Sequence, residues 1–185
     1  MMIETDEYLV RAYVAGGCLS LLDKLIDRHL VKVRNLICSM VLNASDADDL
    51  TQETFIKATA ALPGFRHNAC FKTWLYRIAV NTVRSFMRRR GAMLVDFTGE
   101  MHESAVTASV TPSSEVISRE EWARLMRAIT SLSPCLRRAF ILVGVHEFNP
   151  REAARIEGCL TATMYRRVHV ARRQLQKMLR EEVAS

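Results

Sequence analysis

The amino-acid sequence predicts an all-α fold made of two small helical domains. Apolar residues recur at intervals of three and four along almost the whole chain, which is the periodicity of helices and not of strands. The Asn-Gly and Gly-Pro pairs that mark hairpin turns are absent from the sequence. Between Gly91 and Glu121 a segment rich in Ser and Thr carries six acidic residues and one basic residue. It lacks helical periodicity before Pro112, so we predict a linker there.

This pattern divides the 185-residue chain into an N-terminal domain over residues 1–91, a flexible linker over 92–114 and a C-terminal domain over 115–185. Each domain is small for a self-sufficient core, so we expect both to gain stability from a partner. The periodic segments predict helices over residues 4–16, 19–42, 46–61, 70–90, 115–131, 134–146, 150–157 and 161–181.

The third predicted helix has an acidic start. Ser45 and Asp48, three residues apart, have the spacing of a capping box. The carboxylates scatter around the helix instead of wrapping a loop, which disfavours a metal site. We expect Ala47, Leu50, Thr54 and Ala58 to face the core. The opposite face then presents Asp48, Asp49, Gln52, Glu53 and Lys57 to solvent or to a protein partner.

Two stretches without an acidic residue, 66–90 and 161–180, carry seven and six basic residues, which is half of the 26 in the chain. Like charges on a helix repel each other when no carboxylate is interleaved at i,i+4. Such concentration favours a nucleic-acid partner, because neutralising phosphates releases condensed counterions.

In the first stretch a polar loop precedes a helix with a basic face. The loop Gly64–Cys70 mixes aromatic, amide, imidazole and guanidinium groups, which stack on or hydrogen-bond to unpaired bases. One helix stripe is predicted to be core: Phe71, Leu75, Ile78, Thr82 and Phe86. A ridge of donors is predicted on another face: Thr73, Arg77, Asn81, Arg84 and Arg88.

The second stretch ends a predicted helix-turn-helix. A short helix begins at Pro150 with Asn149 as N-cap, Gly158 suits the tight turn, and the second helix begins near Thr161. The second helix has an apolar stripe of Met164, Val168, Ala171, Leu175 and Met178. Arg166, His169 and Arg173 project from the opposite side, where they can enter a major groove.

The composition and the N-terminal sequence together indicate the cellular compartment. A content of 49% hydrophobic and 25% charged residues is ordinary for a soluble globular protein. No apolar run approaches the ~20 residues that span a bilayer, and the acidic start is no secretory signal. We therefore expect a cytoplasmic protein without membrane insertion. The five cysteines form no CxxC pair and are expected to be reduced, partly buried thiols. His67 and Cys70 alone do not make a metal site, so we predict neither metal nor cofactor.

Taken together, these segments resemble a known family. Residues 46–90 closely resemble region 2 of bacterial RNA polymerase sigma factors of the extracytoplasmic function group, most specifically in FKTWLYRIAVN. Residues 132–179 are similar to their region 4, including the LSP opening, the helix LRRAFILV and the helix-turn-helix. The match covers essentially the whole chain in order.

The resemblance implies a promoter-specificity subunit of core RNA polymerase, and not an enzyme. In the family, a flipped base of the non-template strand enters the pocket made by the polar loop. Residues matching the −10 surface are Arg66, His67, Asn68, Lys72, Thr73, Tyr76, Arg77, Asn81, Arg84 and Arg88. Residues matching the −35 surface are Thr161, Thr163, Tyr165, Arg166, Arg167, His169 and Arg173.

The resemblance also implies protein partners. The helix bearing Asp49, Gln52, Glu53, Phe55 and Lys57 matches the surface that docks on the clamp of the largest catalytic polymerase subunit. The flap of the second subunit and an anti-sigma factor are further implied partners. Tyr165 and Val170 stand where relatives commonly have basic residues, and Arg166 stands where a small polar residue is usual. The −35 sequence therefore stays open.

Two other functions compete with this interpretation. A one-component transcriptional regulator shares the helix-turn-helix but needs a ligand-sensing or dimerising domain, whereas the N-terminal half offers a second basic, aromatic-bearing surface. A helical enzyme acting on nucleic acid would need catalytic groups. The sequence contains no HExxH, no Gly-rich phosphate loop and no convincing nucleophile–base pair.

Overall fold

The computed structural model describes residues 4–96 and 127–183, and the side chains of residues 4–91 and 127–180. Within these ranges helix is the only regular secondary structure, so the predicted all-α class is confirmed. Contacts divide the chain into two compact units, Met1–Ser109 and Val110–Ser185. Residues 97–114 of the predicted linker and residues 115–126 of the predicted fifth helix lie outside the described residues.

Between residues 4 and 96, the first unit contains four α-helices, with α2 packed against the other three. They are α1 (Asp6–Gly16), α2 (Leu19–Val41), α3 (Ala44–Ala61) and α4 (Phe71–Asp96), with a 3₁₀ turn Leu62–Gly64 after α3. Helix α4 ends at Asp96 and not at residue 90. The core combines apolar side chains from every helix, including Leu9, Val10, Leu25, Val33, Leu36, Ile37, Leu50, Leu75, Val80 and Val83.

The start of α3 corrects the predicted capping box. The side chain of Asn43 accepts a hydrogen bond from the Asp46 amide at 2.9 Å, so Ser45 lies inside the helix. Asn caps a helix as well as Ser does, and it stands two residues earlier. Asp48 instead accepts a hydrogen bond from Arg34 at 2.5 Å, which holds the pKa of Asp48 below its usual value. The predicted inner stripe Ala47, Leu50, Thr54 and Ala58 is buried.

In the described part of the second unit, helical residues 127–131 precede three further helices. They are α5 (Pro134–Phe140), α6 (Pro150–Glu157) and α7 (Thr161–Val183). A single helix was expected over residues 134–146, but Ile141–Val145 forms a π turn after α5. The His146 amide donates to the Ile141 carbonyl at 2.9 Å. Gly144 accommodates the Phe140 ring there, since an added Cβ would lie 3.1 Å from its Cε2.

The predicted junctions of the helix-turn-helix are confirmed. The Asn149 side chain accepts from the Glu152 amide at 2.9 Å, and the Glu152 carboxylate accepts from the Asn149 amide at 3.2 Å. This is a complete capping box with Pro150 at the first helical position. Gly158 has φ 68°, a left-handed conformation that glycine adopts without steric strain.

The cysteines are free thiols, and they are more exposed than the sequence led us to expect. Cys18, Cys70 and Cys135 are exposed, Cys159 is half-buried and Cys38 is buried. Burial raises the pKa of the Cys38 thiol. Among the described residues, no group of three or more His, Cys, Asp and Glu side chains is placed to hold a metal ion. No helix in the described ranges has both the length and the apolar content to cross a bilayer.

Candidate nucleic-acid interface

The loop over residues 65–70 displays its polar side chains above an aromatic cluster. Arg66, His67 and Asn68 are exposed. The Phe65 ring lies 4.6 Å from the His67 ring and 5.0 Å from the Trp74 ring, measured between centroids. His67 has φ 55°, a left-handed backbone that residues other than glycine rarely adopt. The loop is therefore a bent segment with a packed aromatic base and three exposed polar groups.

Helix α1 supports the C-terminal end of this loop, a contact that the sequence analysis missed. The Glu7 carboxylate accepts a hydrogen bond from the Phe71 amide at 3.3 Å, across 64 positions of sequence. Helix α4 has no acidic residue in its own first turn, so Glu7 supplies the negative charge that a helix N-terminus favours. The buried His29 contacts Asp6 at 2.7 Å and packs edge-on against the Phe71 ring. No local spacing signals such a contact.

Helix α4 carries an exposed basic ridge formed by Arg77, Asn81, Arg84 and Arg88. Within the described side chains, no carboxylate lies within 4.0 Å of Arg77 or Arg88. The next two arginines are paired instead: Arg89 with Glu53 at 4.0 Å, and Arg90 with Asp46 at 2.9 Å. The ridge therefore presents positive charge that an external anion can neutralise.

Thr73 and Tyr76 are corrections to the predicted −10 surface, because both are core residues. Their exposed fractions are 4% and 2%. The Thr73 hydroxyl lies 3.0 Å from the Cys70 thiol, and burial raises the pKa of Tyr76 to about 12. Helix α4 contacts α1, α2 and α3, so its buried arc is wider than the single stripe that periodicity predicts. Lys72 stays exposed, with its Nζ 5.9 Å from the Tyr76 ring centroid.

The outer face of α3 contains the predicted polymerase-docking residues in two different situations. Asp49, Gln52 and Lys57 are exposed. Glu53 accepts a hydrogen bond from Lys57 at 2.6 Å and lies near Arg89, so it is part of a charge network. Phe55 is half-buried and lines a small apolar hollow with Leu22 and Ile26 of α2.

Ile56 lies on the same helix, is 69% exposed and was not among the predicted docking residues. Its position outside the inner stripe of α3 could have indicated this exposure from the sequence. Gln52 and Ile56 are neighbours at i,i+4. The outer face of α3 therefore combines an apolar side chain with a carboxylate and an amide.

Helix α7 places its predicted outward residues in solvent. Tyr165 is 56% exposed, and Arg166, His169 and Arg173 are exposed. Thr161 and Thr163, at the start of the helix, are half-buried. The apolar stripe packs inward, since Met164, Val168, Ala171 and Leu175 are buried and Met178 is half-buried.

Arg167 is not on this outward face, which corrects its predicted position. Its Nη1 lies 3.3 Å from the carboxylate of Glu157, whose side chain is only 1% exposed. Arg138 of α5 binds the same carboxylate at 2.7 Å. Burial alone lowers the pKa of Arg138, but the hydrogen bond and charge of Glu157 outweigh this effect and the net pKa is raised. Neighbouring positions on a helix point about 100° apart, so Arg166 and Arg167 face different surroundings.

Comparison with known proteins identifies the family. Residues 25–93 match the sequence profile described as Sigma-70 region 2. Over 175 residues the chain is 35% identical to the ECF RNA polymerase sigma-E factor of Escherichia coli K12, with 91% of each chain covered. The chain belongs to the ECF sigma factors of RNA polymerase. It is also 32% identical over 183 residues to the RNA polymerase sigma-H factor of Pseudomonas aeruginosa, covering 95% of this chain and 94% of that one.

Two solved structures show a similar fold. The sigma factor RpoE from Bartonella quintana, crystallised with the anti-sigma factor NepR, matches with a TM-score of 0.72 and 31% identity over 86% of this chain and 96% of that one. CnrH in complex with the cytosolic domain of CnrY matches with a TM-score of 0.70 and 25% identity, over 95% and 97% of the two chains. ECF sigma factors serve transcription initiation by RNA polymerase, so the family match favours that role over both competing interpretations.

Proposed function

We propose that this sigma factor recruits core RNA polymerase to promoters by docking through α3 and binding two promoter elements with two different surfaces. The observation that carries the proposal is the contrast between the two basic surfaces. One is a polar loop on an aromatic base beside an arginine ridge, and the other is the exposed face of a helix-turn-helix. The first suits unpaired bases, and the second suits duplex.

The −10 element would be bound as a single strand by the loop and the ridge. Exposed side chains of Arg66, His67 and Asn68 can replace the pairing and stacking that a flipped base of the non-template strand loses. Arg77, Arg84 and Arg88 would hold the backbone phosphates, contacts that set register without carrying sequence information. Strand separation would begin at this loop.

The −35 element would be recognised as duplex by the first turns of α7. Arg166 can donate two hydrogen bonds to a guanine, the commonest specific contact in a major groove. Thr161, Thr163, Tyr165, His169 and Arg173 complete the proposed surface.

Protein partners follow from the same proposal. Asp49, Gln52 and Ile56 would contact the clamp of the largest catalytic subunit, and the C-terminal domain (115–185) would contact the flap of the second subunit. The solved relatives RpoE and CnrH are bound to NepR and CnrY. By analogy with RpoE, we propose an anti-sigma factor that holds this chain inactive in the cytoplasm.

The chain alone should bind promoter duplex weakly, yet it should make core polymerase start transcription at discrete sites. The proposed linker does not fix the spacing of the two small domains. Binding of one domain to a promoter therefore raises the effective concentration of the other at its own element only slightly, until a scaffold sets the spacing. Run-off transcription with core polymerase and genomic fragments measures the start sites, and a filter-binding titration measures the duplex affinity of the chain alone. Tight sequence-specific binding by the isolated chain, with no stimulation of core polymerase, would contradict the proposal.

Asp49→Lys should weaken assembly with core polymerase about fivefold, which corresponds to roughly 1 kcal/mol for a charge reversal at an interface rim. Glu53→Lys is less informative, because Glu53 pairs with Lys57. The melting temperature should barely change, since exposed substitutions cost under about 0.5 kcal/mol. Asp23→Lys on α2 makes the same charge change at an exposed position and serves as the control. Equal co-purification of both variants with core polymerase would show that α3 is not the docking face.

A further inference from the structure

Glu157 is a buried acid at the last position of α6, immediately before the helix-turn-helix turn. Its side chain is 1% exposed and lies 2.7 Å from Arg138 of α5 and 3.3 Å from Arg167 of α7. One carboxylate therefore connects α5, α6 and α7. Two guanidinium groups bind it, and removing either one would take a counter-charge away from a buried acid.

Because of this pairing, the Glu157 carboxylate and a DNA phosphate would compete for Arg167. Its side chain is 26% exposed, and its Nη1 already donates to the Glu157 carboxylate. A charge-assisted hydrogen bond in poorly hydrated surroundings is stronger than one between exposed groups. A DNA phosphate would have to compete with that carboxylate for a side chain that is mostly buried, whereas Arg166 and Arg173 are exposed and face outward.

We propose that Glu157 withholds Arg167 from DNA and makes it a positioning residue that fixes α7 against α5 and α6. The proposal rests on the proposed binding of duplex by α7. Each phosphate contact adds affinity for every sequence alike, so a withheld arginine lowers the affinity for all duplexes and leaves base discrimination to the outward residues of α7. Glu157 then limits how tightly this domain binds any duplex, without touching DNA itself.

The salt dependence of duplex binding tests this directly. The full chain assembled with core polymerase is titrated with −35 duplex and with a duplex of unrelated sequence over a salt series. Each phosphate contact contributes about 0.9 to the slope of log affinity against log salt. Arg167→Gln in the natural chain should leave this slope unchanged on both duplexes.

The same substitution should behave differently once Arg167 is released. Arg138→Met combined with Glu157→Leu replaces the buried pair by apolar groups of similar size, which folds are known to tolerate. In that background the slope should become more negative by about 0.9, and adding Arg167→Gln should remove that change. Glu157→Gln offers a second, isosteric release if the double variant does not fold.

Two results would overturn the proposal. A slope that becomes shallower by about 0.9 for Arg167→Gln in the natural chain would show that Arg167 already contacts a phosphate. An unchanged slope in every released background would show that Glu157 withholds nothing. If the natural complex bound −35 duplex no more tightly than unrelated duplex, the proposed function would be contradicted. The salt slopes on unrelated duplex would still decide the role of Arg167.

Discussion

Arg166→Ala should reduce the affinity of the assembled sigma factor for −35 duplex by about 5- to 150-fold. Arg166 is exposed on α7, and a good bidentate contact to guanine is worth ~1–3 kcal/mol of discrimination. The loss of affinity should be confined to the base pair that Arg166 contacts. Replacing that base pair in the duplex should therefore lower the affinity of the variant only slightly further. Equilibrium titration of duplexes substituted at each −35 position measures the effect.

Arg172→Ala is the matched control for this change. Arg172 is also exposed on α7, but it is six residues away and turned about 120° from Arg166. Its removal should weaken all duplexes alike, as expected for a phosphate contact. Equal loss of base discrimination in the two variants would show that Arg166 is not the specific contact.

Asn68→Ala should slow strand opening about 5- to 150-fold while leaving duplex binding at the −35 element nearly intact. The exposed Asn68 amide lies in the loop proposed to receive an unstacked base. Leaving the polar edge of a base without a hydrogen-bond partner in a closed pocket costs about 1–3 kcal/mol. The preference for the −10 sequence should weaken with the rate, because the lost contact is to a base. Stopped-flow fluorescence of a base analogue in the −10 element measures opening.

Gln174→Ala is the control for Asn68→Ala, since it removes an exposed amide from the C-terminal half of α7. Both variants should keep the melting temperature of the natural chain, because both amides are exposed. If Asn68→Ala opened promoters at the rate of this control, the loop would not be the site that captures the base.

Helix positions could be predicted from the sequence because burial repeats along each helix. The stripe Ala47, Leu50, Thr54 and Ala58 is buried as predicted, and the Asn149 cap and the Gly158 turn are also as predicted. Caps and turns depend on neighbours in sequence, so local chemistry is sufficient to place them. The start of α3 was wrong by two residues, because two adequate capping residues stand close together.

Contacts between distant segments could not be predicted in the same way. Periodicity placed Thr73 on the ridge, but Thr73 is buried, and α4 contacts three other helices of the unit. Arg167 was assigned to DNA through the family resemblance, yet it pairs with Glu157 from another helix. Glu7 supports the start of α4 from 64 residues away. Charge patterns in a sequence show where basic residues are, and only the fold shows which of them are already paired.

The central claim is that one basic surface binds duplex and the other captures an unpaired base. Permanganate footprinting of one promoter in two forms tests this most directly. One template is fully paired, and the other is pre-melted around the start site. With core polymerase, pre-melting should relieve the defect of Arg166→Ala, because capture of the open strand no longer depends on prior duplex docking. It should not relieve Asn68→Ala, since the contact to the unpaired base is still missing. Indistinguishable footprints for the two variants on both templates would contradict the account.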